Sequence, residues 1–170
     1  DNEQAIAALP ERFGVTELDL LINNAGSLVS GERLGSLSAE VMASAFQTNV
    51  IGPVLLTQAL APALARRAGW VVNLSSELGS ISQRSGFFTP TYCASKAALN
   101  MWTRLLDFGL ASQGVHCVAL HPGWVQTDMG GEDAPLDPAT SVASMIALIE
   151  QLSTEQAGSF LAYDGSQLDW

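Results

Sequence analysis

Leu18-Asp19-Leu20-Leu21-Ile22-Asn23-Asn24-Ala25-Gly26 is the stretch that settles the class of fold. Residues 18–22 are nearly all apolar and too few for a stable helix. Such a run suits a parallel strand covered on both faces. It breaks off into two asparagines and two small residues. At the carboxyl end of a strand, small residues let a ligand come close to the backbone, as at the mouth of an open α/β sheet.

The same arrangement recurs downstream. Trp70-Val71-Val72-Asn73-Leu74 runs into Ser75-Ser76, and Val115-His116-Cys117-Val118-Ala119-Leu120 runs into His121-Pro122-Gly123-Trp124. Residues 159–163 make a last short strand. Helical patterns lie between the strands. Residues 1–17 read as the end of a helix, with Ala5, Ile6 and Leu9 on one stripe and Pro10 and Gly14 breaking it. After a Gly/Ser-rich loop at 27–37, Ser38 is a good N-cap and Glu40 sits in the first turn, near the positive end of the helix dipole. That helix continues to about residue 67. Pro53 interrupts its ladder: proline has no N–H, so the carbonyl of Asn49 loses its helical partner. The freed carbonyl is open to water or a ligand, or else the helix is simply kinked there.

The central helix spans about 91–113, with Gly114 closing it. Its polar residues Asn100, Arg104 and Asp107 form a narrow stripe, and most of the remaining girth is apolar. This predicts a wet stripe at Asn100, Arg104 and Asp107, with burial against the sheet and against a partner helix elsewhere. Phe87 and Phe88, in the loop 77–90, either line an apolar pocket or pack. Residues 126–138, rich in Gly, Asp and Pro, read as a mobile lid, and a helix follows at about 139–152. Strands alternating with helices make the class α/β with a parallel sheet. Neither a repeat nor a second domain is visible in residues 1–170.

Composition narrows the function. The chain is 48% hydrophobic and 14% charged, enough to bury a core. Its net charge of −10 argues against nucleic acid and against anionic membrane surfaces as partners. Residues 46–65 carry no charge, yet Gln47, Asn49, Pro53, Gln58 and Pro62 interrupt them, which predicts a helix inside a soluble protein and not a membrane span. The first residues are acidic and show no apolar leader. Cys93 and Cys117 fall on separate elements, so neither a disulfide framework nor a metal site is expected, and the cytoplasm is the expected compartment.

The chemistry concentrates in Tyr92-Cys93-Ala94-Ser95-Lys96. Tyr92 and Lys96 are four positions apart and so stack on one helix face. Lys96 is the only lysine among the 7 basic residues. An ammonium beside a phenol favours the phenolate, so the pair is a candidate general acid/base whose tyrosine pKa is expected to fall. Asn23 to Gly26, Ser75/Ser76 and Pro122-Gly123 lie at the strand ends where ligands bind in such sheets, with Tyr92 and Lys96 opening the next helix.

With Asn23-Asn24-Ala25-Gly26, Asn49, Ser76, Tyr92…Lys96 and Pro122-Gly123 in this order, the chain resembles the classical short-chain dehydrogenase/reductase family. The run 120–131 and Asp164-Gly165 are similar to its carbonyl reductase branch of the C-factor/sniffer type. The resemblance implies a Rossmann-like, doubly wound parallel sheet. It also implies reduction of a ketone or aldehyde to an alcohol with NADP(H), NAD(H) being the alternative. By the same resemblance Tyr92 is the proton donor, and Lys96 holds the nicotinamide ribose. Ser76, spaced from Gly79 as in the family, positions the substrate carbonyl, and Asn49 carries a water. Asn23, Ala25 and Gly26 flank the adenosine half of the cofactor, and Gly123, Val125 and Thr127 lie along the nicotinamide. His121 falls beside the site without a chemical role.

The family opens with a strand and a glycine-rich T-G-x-x-x-G-x-G turn that cradles the pyrophosphate. Residues 1–170 contain no such turn and begin with Asp1. The expectation is therefore a single partial domain, the C-terminal portion of the fold, that binds nicotinamide cofactor poorly by itself; tight NADPH binding in a fluorescence titration would overturn this. Its partners are expected to be a small carbonyl or alcohol and a second copy docked through the helices at 50–67 and 91–113. Two other readings stand beside this one: a non-catalytic signalling or interaction protein on the same scaffold, and a 3-oxoacyl reductase.

Overall fold

The computed structural model describes residues 3–170. Asp1 and Asn2, which the sequence assigns to a helix end, lie outside the described residues. Two short helices come first, α1 (Glu3–Ala7) and α2 (Leu9–Arg12). Pro10 begins the second of them instead of ending the first, since its missing N–H is harmless in a first turn. Strand β1 (Leu20–Asn23) follows, then α3 (Ala39–Phe46), whose N-cap Ser38 accepts the Val41 N–H. Next come a π-helical turn at Gln47–Ile51, α4 (Gly52–Ala65) and β2 (Trp70–Leu74). A 3₁₀ turn at Glu77–Gly79 precedes α5 (Pro90–Leu110). The chain then passes through β3 (His116–His121), α6 (Pro138–Ile149) and β4 (Phe160–Ala162).

All four strands pair in parallel, in the order β1-β2-β3-β4. The register sets Asn23 beside Asn73 and Asn73 beside Ala119. Side chains alternate across the sheet, so each face has its own helices. Leu21, Val71 and Cys117 pack with Leu60 and Leu64 of α4 and with Leu106 and Leu110 of α5. Val72, Val118, Leu120 and Leu161 face the other way, against Met145, Leu148 and Ile149 of α6. Helices on both faces of a parallel sheet are the Rossmann-like layering that the sequence predicted.

The helical run Ala39–Ala65 is long and apolar enough to cross a membrane by length and composition. In this fold it is a core element. Asn49 and Thr57 are fully buried and hydrogen-bonded, and Leu60 and Leu64 lie in the core beneath the sheet. Pro53 is accommodated by the π turn, in which the Gly52 N–H reaches back five residues to the Gln47 carbonyl.

On α5 the structure reverses an expectation. Asn100 and Asp107, predicted to be wet, are buried, whereas Met101 is 61% and Phe108 66% exposed. The polar residues are satisfied inside. The Asn100 Oδ1 accepts from the Ser75 hydroxyl at 2.6 Å, and the Asp107 Oδ1 accepts from the Cys117 N–H at 2.9 Å. A polar ladder runs beneath the same face of the sheet. The Asn23 amide donates to Asn73 at 2.7 Å and to Thr57 at 3.3 Å, and the Asn73 amide donates to Thr103 at 2.9 Å. Periodicity locates a polar stripe but does not say which stripe faces the sheet.

Candidate active site

Three strand ends and the start of one helix build the site. Ser75 and Ser76 follow β2, Pro122 and Gly123 follow β3, and Asn24 to Gly26 follow β1. Helix α5 starts at Pro90, and its residues Tyr92, Ser95 and Lys96 turn inward. The backbone at Thr89, in the left-handed region at φ 40°, provides no side-chain cap. Glu32 does so instead: its carboxylate accepts from the Thr91 N–H at 3.2 Å and from the Thr91 hydroxyl. This ties the loop 27–37 to the first turn of α5.

The Ser76 hydroxyl lies near enough to the Tyr92 phenol to favour its ionised form, and it accepts the Leu78 N–H at 3.2 Å. Its neighbour Ser75 is committed to Asn100, which leaves Ser76 as the serine that faces the tyrosine. The turn after Ser76 lies hard against α5. A Cβ on Gly79 would stand 2.8 Å from the Lys96 carbonyl carbon and 2.9 Å from its Cβ, so only glycine fits there without displacement.

Lys96 is 3% exposed and donates to the Leu74 carbonyl at 2.7 Å. Burial brings its pKa down to about 8. Lys96, expected from its spacing to pull the tyrosine pKa down, does not set its direction. The Tyr92 pKa lies above its ordinary value because burial disfavours the phenolate, an effect the nearby Ser76 hydroxyl only partly offsets. Tyr92 therefore keeps its proton at neutral pH.

Asn49 acts through its side chain. Its Oδ1 accepts the Ser27 N–H at 2.8 Å, and its Nδ2 donates to the Ser27 carbonyl and to the Ser95 hydroxyl, both at 2.9 Å. The Ser95 hydroxyl in turn donates to the Tyr92 carbonyl at 2.8 Å. Ser95 sits inside the quoted Tyr92…Lys96 stretch, but sequence reasoning gave it no part.

Two cavities, of about 430 and about 460 Å³, meet at Tyr92. Ser75, Pro122, Val125, Thr127 and Met129 also line both. Gly26, Lys96 and Asn24 open on the first only; Ser76, Glu77, His121 and Gly123 open on the second only. The structure thus brings Ser76, Tyr92, Lys96, Gly26, Val125 and Thr127 to one crevice. It sets Gly123 on the Ser76 side of Tyr92 and Asn49 one hydrogen bond behind α5. The Asn23 amide belongs to the ladder beneath the sheet, and Ala25 opens on a separate cavity of about 340 Å³ beside α4. The absent side chain of Gly26 leaves the first cavity clear above Lys96: a Cβ there would stand 3.6 Å from the Lys96 Nζ. Among the described residues no group of acids, histidines or cysteines has the makings of a metal site.

Residues 1–136 match the sequence profile described as short chain dehydrogenase. The chain belongs to the short-chain dehydrogenase family. Within that family it is 42% identical over 156 residues to the C-signal of Myxococcus xanthus, an alignment that takes in 90% of this chain and 93% of that one. Two solved structures superpose closely. The carbonyl reductase Sniffer of D. melanogaster has a TM-score of 0.92 at 35% identity, covering 99% of this chain and 73% of that one. The NADPH-bound carbonyl reductase from chicken fatty liver has a TM-score of 0.89 at 37% identity, covering 99% and 72%. As a member of the family this short-chain dehydrogenase is an NAD(P)-dependent oxidoreductase of the C-factor/sniffer-like branch.

Proposed function

We propose that this short-chain dehydrogenase reduces a ketone or aldehyde to an alcohol, with NADP(H) as cofactor and Tyr92 as proton donor. The carrying observation is that Tyr92 stands at the wall between two cavities, with Lys96 opening on one and Ser76 on the other. One cavity suits the nicotinamide and the other the substrate. The NADPH-bound carbonyl reductase among its structural relatives supports the cofactor.

When bound, the reduced nicotinamide supplies the hydride. Ser76 and Tyr92 hold the substrate oxygen between their hydroxyls. As negative charge builds on that oxygen, Tyr92 passes its proton across and a neutral alcohol results. Its raised pKa keeps the proton available at neutral pH. Lys96 places a cation where it stabilises the tyrosinate left behind, and, opening on the cavity that would take the cofactor, it would hold the ribose. Asn49, through Ser27 and Ser95, holds the first turn of α5 in place. Asn23, Ala25 and Gly26 would flank the adenosine half of the cofactor, and Gly123, Val125 and Thr127 would lie along the nicotinamide, Val125 and Thr127 lining both cavities.

The test is NADPH consumption with a panel of small aldehydes and ketones, cofactor in large excess, for the native chain and for Tyr92→Phe. Loss of turnover by at least about 100-fold, with the circular dichroism unchanged, supports the reading; unchanged turnover ends it. We place the work in the cytoplasm, and residues 1–170 as one partial domain carrying the catalytic, C-terminal portion of the fold. A homo-oligomer built on α4 and α5 would cover the exposed Met101, Leu105 and Phe108.

One observation favours a second reading. The Myxococcus relative, aligned over 93% of its length, is called C-signal, and a signalling role on the same scaffold would survive Tyr92→Phe.

A further inference from the structure

The cavity on the Ser76 side of Tyr92 is walled mainly by apolar groups, among them Leu28, Leu78, Phe88, Trp124 and Met129. The Ser76 and Tyr92 hydroxyls are taken up by the reacting oxygen. Ser75 is committed to Asn100 and Thr127 to the backbone of its own loop, which leaves two titratable side chains on this cavity besides Tyr92, Glu77 and His121. Glu77 directly follows Ser76 and opens the 3₁₀ turn, so its half-exposed carboxylate stands beside the place where the carbonyl is held.

His121 brings no countercharge. Its Nε2 is 3.8 Å from a Glu77 oxygen, and its Nδ1 is buried without a hydrogen-bond partner. A protonated ring would bury an unmatched N–H at that position. Burial holds the His121 pKa below its ordinary value, against the opposing pull of Glu77 and Asp164. Among the described residues no lysine or arginine lines this cavity. Lys96 opens on the other one, and Arg84 stands over the Phe88 ring, 5.5 Å from its centre.

We infer that this cavity sorts carbonyl substrates by charge, admitting neutral or cationic compounds with an apolar or aromatic body and turning away carboxylates, with Glu77 as the deciding residue. The inference rests on the reductase reading of the same site. An entering carboxylate would lose water and find no cation in return. It would also meet Glu77 across a few ångströms of partly solvated space, a repulsion that changes binding by roughly threefold to tenfold and weakens with salt. A quaternary ammonium group gains from the same field and can lie on the Trp124 ring.

The experiment compares benzaldehydes carrying a para methyl, carboxylate or trimethylammonium group. It measures kcat/KM with NADPH at low and moderate salt, for the native protein and for Glu77→Gln. The matching benzyl alcohols are titrated by calorimetry in the presence of cofactor. The expected result is a carboxylate at least about tenfold poorer than the methyl compound, with Glu77→Gln or added salt recovering threefold to tenfold of that deficit. Parity between carboxylate and methyl, a ratio that neither the substitution nor salt moves, or no binding of any alcohol would each overturn the inference. Binding in the expected order without turnover of any aldehyde would keep charge selection and remove the reductase reading.

Discussion

The Lys96 Nζ lies 5.6 Å from the centre of the Tyr92 ring, yet its hydrogen bond runs to the Leu74 carbonyl at 2.7 Å. The cation is close enough to act on the tyrosine but costs something to keep charged. Its pKa is about 8 in the fold against 10.5 when free. Between these values the unfolded chain holds a proton that the folded chain has given up, so stability rises with pH. Cys117, pushed up to about 12 by burial and by Asp107, and Tyr92, also raised, work the other way once their free forms ionise. Free cysteine is half ionised at about pH 9, so the rise is best separated from that opposing effect at pH 7 to 8.5. Denaturant unfolding there is expected to show stability rising by up to ~1.4 kcal/mol per pH unit, a rise that Lys96→Met removes. A flat profile in the native protein would contradict the burial argument.

Ser75 and Ser76 are adjacent, but substitution separates them. Ser75→Ala takes away the Asn100 partner and is expected to lower stability by ~1 kcal/mol or more, because a buried amide oxygen loses its donor. Ser76→Ala loses the hydroxyl that faces Tyr92 and is expected to cost turnover at little cost in stability. Paired chemical denaturation and kinetic assays decide, and the opposite pattern would reassign the catalytic serine.

Gly79→Ala inserts a methyl group against the backbone of α5 at Lys96. Neither side is a flexible side chain, so the turn must move. We expect a loss of ~1–3 kcal/mol, read from the denaturation midpoint, together with weaker turnover, since the same turn holds Ser76. A variant as stable as the native protein would mean that the turn yields freely.

The outer face of α5 presents Met101, Leu105 and Phe108 to solvent, with Ile81 beside them. If a second copy covers this face, Leu105→Glu combined with Phe108→Glu should lower the sedimenting mass toward that of the 17.9 kDa chain, while circular dichroism stays the same. A native protein that already sediments as a monomer would remove the homo-oligomer from the proposal.

The sequence alone determined the architecture, because the physical signals are local. Short apolar runs ending in small residues mark parallel strands, Ser38 and Gly114 mark helix ends, and a tyrosine four residues before a lysine marks one helix face. The order of those pieces also carried the family resemblance. Tertiary structure decided everything that depends on what lies across from a residue. It turned Asn100 and Asp107 inward, since buried carboxamides and carboxylates are tolerated only where donors such as Ser75 and the Cys117 N–H await them. It gave Asn49 and Ser95 their linked roles, and it drew the Asn23 amide into the ladder beneath the sheet. It set the direction of the Tyr92 pKa, because desolvation of the ring outweighs what the Ser76 hydroxyl gives back, and no spacing in a sequence reports how much water a side chain has lost.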